Sequence, residues 1–247
     1  MRYPDKEPMM ATISQVPSAN TAGLAEVPGW VLSFAAGYVD VVGFAALFGL
    51  FTAHVTGNFI MIGVQLIGAS EGLLTKLLAL PTFALAVGCT RLLETALRRR
   101  GMAVIPVLFF FECALLAAFM VTGLVAAPIT DSDTPLVVVC GLLGVAAMGI
   151  QNAMARTVLS DAGPTTIMTG NTAQIVIDAV DLPGAGPEAR AAIRRRLRKM
   201  VPAVSGFAAG AIGGALAFKA FLFWSLLLPT LLLLALAIQQ WRGKERP

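Results

Sequence analysis

The sequence predicts an all-α polytopic membrane protein, with six spanning helices and two short re-entrant half-helices arranged as two inverted-topology repeats. Composition is the first ground. Of 247 residues, 57% are hydrophobic and only 13% charged, against roughly 25% charged in a soluble domain. That is too little charge to coat a water-exposed surface. The second ground is a repeat: Thr52-Ala53-His54-Val55-Thr56-Gly57-Asn58 returns 113 positions later as Thr165-Thr166-Ile167-Met168-Thr169-Gly170-Asn171. Each copy follows an apolar run holding Gly-x-x-Asp or Gly-x-x-Asn, Gly37 to Asp40 and Gly149 to Asn152. The spacing from Asp40 to Thr56 is 16 residues and from Asn152 to Thr169 is 17. Two landmarks in nearly constant register mark an internal duplication. The third ground is where Lys and Arg fall between the apolar runs.

In chain order, residues 1 to 28 are polar and carry four prolines without an apolar h-region. They read as a disordered cytoplasmic tail and not a cleaved signal peptide. The first membrane repeat follows at 29 to 128. Its first span runs from Trp30 to about Leu50, and 21 residues of helix rise about 32 Å, enough to cross. Leu73 to Leu97 is the second span, closed by Arg98-Arg99-Arg100, and Met102 to Ala127 the third. A polar linker, 129 to 135, divides the halves.

The second repeat, 136 to 241, opens with a span from Leu136 to about Val158. After the second Thr-Gly-Asn comes Pro187 to Met200, in which Ile193, Leu197 and Met200 recur at helical spacing beneath six basic residues. That pattern predicts a basic amphipathic helix on the membrane surface. Val201 to Gln240 would rise about 60 Å as one helix, twice the hydrocarbon thickness. It must fold back, and Lys219 is the nearest polar mark. Gly206, Gly210 and Gly214 form a small-residue stripe in this stretch, for tight packing inside the protein or, less simply, a homo-oligomer. Residues 242 to 247 form a second cytoplasmic tail.

The Thr-Gly-Asn segments are only about 20 Å long as helices, short of a crossing. If neither crosses there are six spans, and 16 of the 18 Lys and Arg residues fall on the side of the termini, with only Lys76 and Lys219 opposite. If both cross, the bias is far weaker. Six spans give each half an odd number of crossings, so the halves are inverted. Short interrupted segments at matching places in inverted repeats point to a transporter-type site. In this picture Phe51 to Val55 runs inward as an extended stretch, Thr56 begins a half-helix returning outward, and Leu159 to Met168 does likewise from the other face. Thr and Asn are strong N-cap types, and two helix N-termini meeting near the midplane favour an anion or the electronegative part of a neutral solute.

On Gly37-Tyr38-Val39-Asp40 with Gly43-Phe44, His54-Val55-Thr56-Gly57-Asn58, Gly149-x-Gln151-Asn152-Ala153 with Arg156, and Thr165 to Asn171, the chain resembles the YoaK-like family of bacterial membrane proteins. The likeness covers essentially residues 29 to 240. Val55 stands where the family's first motif has methionine, which Met168 keeps in the second. The resemblance implies a six-span, multi-pass protein of the bacterial inner membrane, and the Lys and Arg bias puts both termini in the cytoplasm. It brings no established substrate or reaction.

The candidate site residues are therefore Thr56, Gly57, Asn58, Thr169, Gly170 and Asn171 for substrate binding, with Asp40, His54, Gln151 and Asn152 for proton coupling or pathway. Ionisable groups at membrane depth are costly and hence candidates. Asp40 reads either as a proton- or cation-linked carboxylate or as a hydrogen-bonded packing residue. His54, the lone histidine, is a proton relay or a turn cap. Glu112, mid-span and without a counterpart in the other half, is a further candidate, and Arg91 with Glu94 a local ion pair. Cys89, Cys113 and Cys140 lie singly in apolar runs, giving neither disulfide nor metal framework. No cofactor is expected. Without His-Glu-x-x-His, Gly-x-Ser-x-Gly or a ligand cluster, an enzyme is the weakest reading. Basic residues set between spans report topology, not nucleic acid. The expected partners are the lipid bilayer and a small solute, moved by a transporter or channel, with Asp40 the candidate for coupling to protons. The alternative is a scaffold or sensor using the basic helix.

Overall fold

Apolar runs of this kind become helices because a helix satisfies every backbone N–H and C=O within its own segment, which a lipid surround demands. In the computed structural model, which describes residues 27–68, 71–163 and 165–244, eight α-helices form. They are α1 (Gly29–Ala46), α2 (Val55–Leu66), α3 (Leu73–Arg99), α4 (Val104–Ala126), α5 (Pro135–Arg156), α6 (Met168–Asp181), α7 (Pro187–Phe221) and α8 (Leu227–Lys244). Five stretches are long and apolar enough to cross a membrane: α1, α3, α4, α5 and the 57 residues Pro187–Gly243. The tail at 1 to 26 and the last three residues lie outside the described residues.

The 57-residue stretch is broken, and its break corrects the expected position. Leu222 takes φ 50 and ψ −137, and the 3₁₀ turn Leu222–Leu226 leads into α8. The chain turns three residues beyond Lys219, at a leucine in the left-handed region that glycine usually fills. No residue type marked it. A second correction concerns 187–200. These residues are the opening of α7, a 35-residue helix that continues through Pro202, and not a separate surface element. At about 52 Å, α7 exceeds the roughly 30 Å of hydrocarbon, so its basic opening turns project beyond an apolar slab.

Two pairs of long helices pack in parallel. The glycine stripe of α7 lies on α1: a Cβ on Gly206 would meet the Trp30 carbonyl oxygen, and one on Gly214 would sit 2.9 Å from that of Tyr38. A Cβ on Gly210 would meet the Phe34 carbonyl oxygen. The partners advance together, 206 with 30 and 214 with 38, so α1 and α7 run in the same direction. The stripe is filled within the chain. Gly141 likewise packs against Thr75 and Gly149 against Ala86, so α5 and α3 also run in one direction. The first long helix of each half thus lies along the second long helix of the other. Around them α4 packs on α5 and α8, with Leu32, Tyr38, Phe109, Phe119, Met148 and Leu233 among the fully buried side chains.

Helices α2 and α6, of 12 and 14 residues, are about 18 and 21 Å long, too short to cross. Each leaves and returns to the same end of the helix before it, and a lysine records this. Lys76, in the first turn of α3, donates to the Phe48 carbonyl at the end of α1 (2.6 Å). Lys199 on α7 donates to the Asp161 carbonyl just past α5 (2.7 Å).

Candidate functional site

The site is assembled around Asp40, two thirds of the way along α1 and 5% exposed. Past the end of α1 the chain reverses through Phe48 and Gly49, both with positive φ, and comes back alongside the helix. Asp40 Oδ1 there accepts the main-chain N–H of Thr52 (2.8 Å) and Ala53 (2.7 Å), with the Thr52 hydroxyl at 3.3 Å and the His54 N–H at 3.4 Å. His54 Nδ1–H donates to the other oxygen, Oδ2, at 2.8 Å. An extended, non-helical backbone has no internal partners, and a carboxylate supplies several at once. The His54 ring packs edge-on against Phe207 of α7 at 5.2 Å. The ring also lies close to the main chain of Thr166, in the turn before α6. The two motif segments therefore meet at His54.

The second half repeats the arrangement without charge. Thr166 Oγ1 donates to Asn152 Oδ1 at 2.7 Å, and Asn152 Nδ2 donates to the Met148 carbonyl one turn back. The residue before each short helix has nearly the same backbone, φ −100 and ψ 67 at His54, φ −96 and ψ 68 at Ile167. Where the first half has Asp40 and His54, the second has Asn152 and Ile167.

The remaining candidates separate. Asn58 is fully buried; its Nδ2 donates to the Phe51 carbonyl (2.8 Å) and its Oδ1 accepts the Phe51 N–H (2.9 Å), so it clamps the extended stretch. Asn171 is buried at the equivalent place. Thr56, Thr169 and Gly170 are exposed and Gly57 half-buried. The helices begin at Val55 and Met168, with no side-chain cap bond at His54 or Ile167. Thr56 and Thr169 are thus the second helical residues, not the N-caps that the sequence suggests, because Asp40 and Asn152 already hold the preceding turns from neighbouring helices. Gln151 is fully buried and ties α5 to α1 by donating to the Leu32 carbonyl (2.9 Å). Glu112 is buried on α4, away from α1 and α2. Glu94 pairs with Arg91 (2.8 Å) and also with Arg98 (2.9 Å).

Sequence reasoning missed Thr52, Thr166, Phe207 and the paired lysines. The lysines left a signal: each long helix after a Thr-Gly-Asn segment carries one, Lys76 in the first turn of α3 and Lys199 in the fourth turn of α7. Beside the site, Asn152, Arg156, Ser160, Gly163, Thr165 and Thr166 line a cleft of about 230 Å³ that reaches the N-terminal end of α6 at Ile167. Among the described residues, no three His, Cys, Asp or Glu side chains lie together as a metal site would need.

No curated protein and no solved structure matches the chain. The residues that build the site, from Asp40 to Phe207, all fall inside the stretch matched by a family model. That match runs over residues 29–239, and by it the chain belongs to the family described as "Protein of unknown function (DUF1275)".

Proposed function

We propose that this protein is a small-solute transporter or channel of the membrane, coupled to protons through Asp40 and His54. In this reading six helices cross (α1, α3, α4, α5, α7 and α8), while α2 and α6 enter from opposite faces as halves of an inverted repeat. Three features support the inversion: the crosswise parallel pairs of long helices, the lysine returns on both sides, and the matched backbone before α2 and α6. A solute would bind where the two extended stretches meet, at the depth where inverted-repeat transporters place their sites. Asp40 is about 16 Å along α1 from Gly29, roughly half the hydrocarbon thickness.

The observation that carries the proposal is the contact of His54 with both Asp40 and Thr166. It puts a titratable pair at the junction of the two halves, whereas the matching place in the second half has an amide, Asn152, which accepts the Thr166 hydroxyl. A charge kept where the other half has an amide is a charge with another use. The test is flux in proteoliposomes: small solutes are presented with and without a proton gradient while an internal pH dye is followed. Solute-dependent proton movement in the natural protein, lost in Asp40→Asn, is the expected result. Solute movement without proton movement would remove the coupling. No movement of any solute would favour the scaffold reading, which has in its favour the exposed Arg194, Arg195 and Arg198 at the opening of α7.

A further inference from the structure

The cleft beside Asn152 has a chemistry that the site's symmetry does not explain. Its rim carries the exposed guanidinium of Arg156, in the last turn of α5, and the exposed Ser160. Its floor carries Thr166 and Thr165. Thr165 is 1% exposed, yet its hydroxyl has no hydrogen-bond partner. A buried hydroxyl left unpaired is destabilising, so a group that supplies the missing partner is favoured there. The cleft also reaches the start of α6, where the first N–H groups of a 14-residue helix lack intrahelical acceptors and carry partial positive charge. Guanidinium, hydroxyls and helix N-terminus all donate, and Asn152 Oδ1 is already taken by Thr166.

We propose that this cleft binds a small monovalent oxygen-bearing anion, a carboxylate or inorganic oxyanion, held between Arg156 and the Thr165 hydroxyl. Volume sets the size: about 230 Å³ lies below the roughly 300–1,000 Å³ of clefts for drug-sized ligands. Charge sets the valence. One guanidinium faces the cleft, and its planar fork matches two oxygens of a single anion; a second negative charge would go unbalanced. The cleft shares Thr166 with the Asp40–His54 pair, so anion and proton sites stand back to back across one peptide. This deepens the transport reading and rests on it, by naming the class of solute that would arrive with the proton.

The test is equilibrium binding to the purified protein in lipid-free detergent at low ionic strength, with acetate, nitrate and neutral acetamide as probes. Acetate and nitrate are expected to bind saturably and acetamide not to bind. Arg156→Gln and the near-isosteric Thr165→Val should each weaken acetate at least tenfold, with gel-filtration profiles unchanged; if Arg156→Gln fails to fold, Thr165→Val decides alone. Acetamide binding as well as acetate, or acetate binding unchanged in Thr165→Val, overturns the proposal. Added phosphatidylglycerol should leave acetate binding unchanged; competition would make the cleft a lipid-headgroup site and sink the solute claim. Because no gradient is applied, failure to transport leaves this result untouched. A neutral solute carried equally well by Arg156→Gln would keep the transport reading and refute the anion.

Discussion

At residue scale, the Asp40 carboxylate does two things that can be pulled apart. One oxygen holds the main chain of Thr52 and Ala53, and the other holds His54. Asp40→Ala removes both, leaving buried N–H groups unpaired at about 1–3 kcal/mol each, and should lower the thermal unfolding temperature in detergent by many degrees. Asp40→Asn keeps an acceptor for the two N–H groups, as Asn152 keeps one for the Thr166 hydroxyl, and should unfold close to the natural protein while losing proton-linked flux. Equal destabilisation by both would make Asp40 purely structural. Asp40, His54 and Asn152 were legible because polar residues in apolar runs stand out. Their partners were not, since Thr52, Thr166 and Phe207 are ordinary residues that matter only by where the turns place them. Asn58 was legible as important but not as a clamp, because its hydrogen bonds go to a main chain seven residues back.

At the scale of elements, two polar ties fasten the short helices. Lys76 is buried and holds the end of α1, whereas Lys199 is exposed and makes the matching bond with water at hand. Lys76→Met should therefore cost about 1–3 kcal/mol, and Lys199→Met under about 1 kcal/mol; equal costs in a melting comparison would mean the burial difference is immaterial. The other tie joins α6 to α7. Arg196 donates twice to Asp178, and this pairing, assisted by Gln174, holds the Asp178 carboxyl below its ordinary value. A depressed carboxylate contributes stability above its unfolded pKa, about 3.9, and loses it as pH falls through the folded value. Melting should thus be insensitive to this pair from pH 5 to 8. It should weaken below about pH 4, a loss that Asp178→Asn abolishes. Spans and short helices were readable from hydropathy and length. The break at Leu222 and the continuity of α7 through Pro202 were not, since both override the usual preferences of leucine and proline through tertiary packing.

For the whole molecule, the account stands on two halves of opposite orientation, each sending a short helix inward so that the preceding turns meet. The proposed repeat is read from matched spacing, and its proposed orientation from the bias of Lys and Arg. The crosswise pairing of α1 with α7 and α5 with α3 was not visible, because the glycine stripe shows that something approaches closely without saying what. The most direct measurement replaces Cys89, Cys113 and Cys140, then introduces Glu71→Cys or Asp161→Cys, one at each end of the two excursions. Oriented vesicles are then treated with a membrane-impermeant maleimide. The account predicts that the label reaches position 161 from the side of the chain termini and position 71 only from the opposite side. Labelling of both positions from the same side would contradict it.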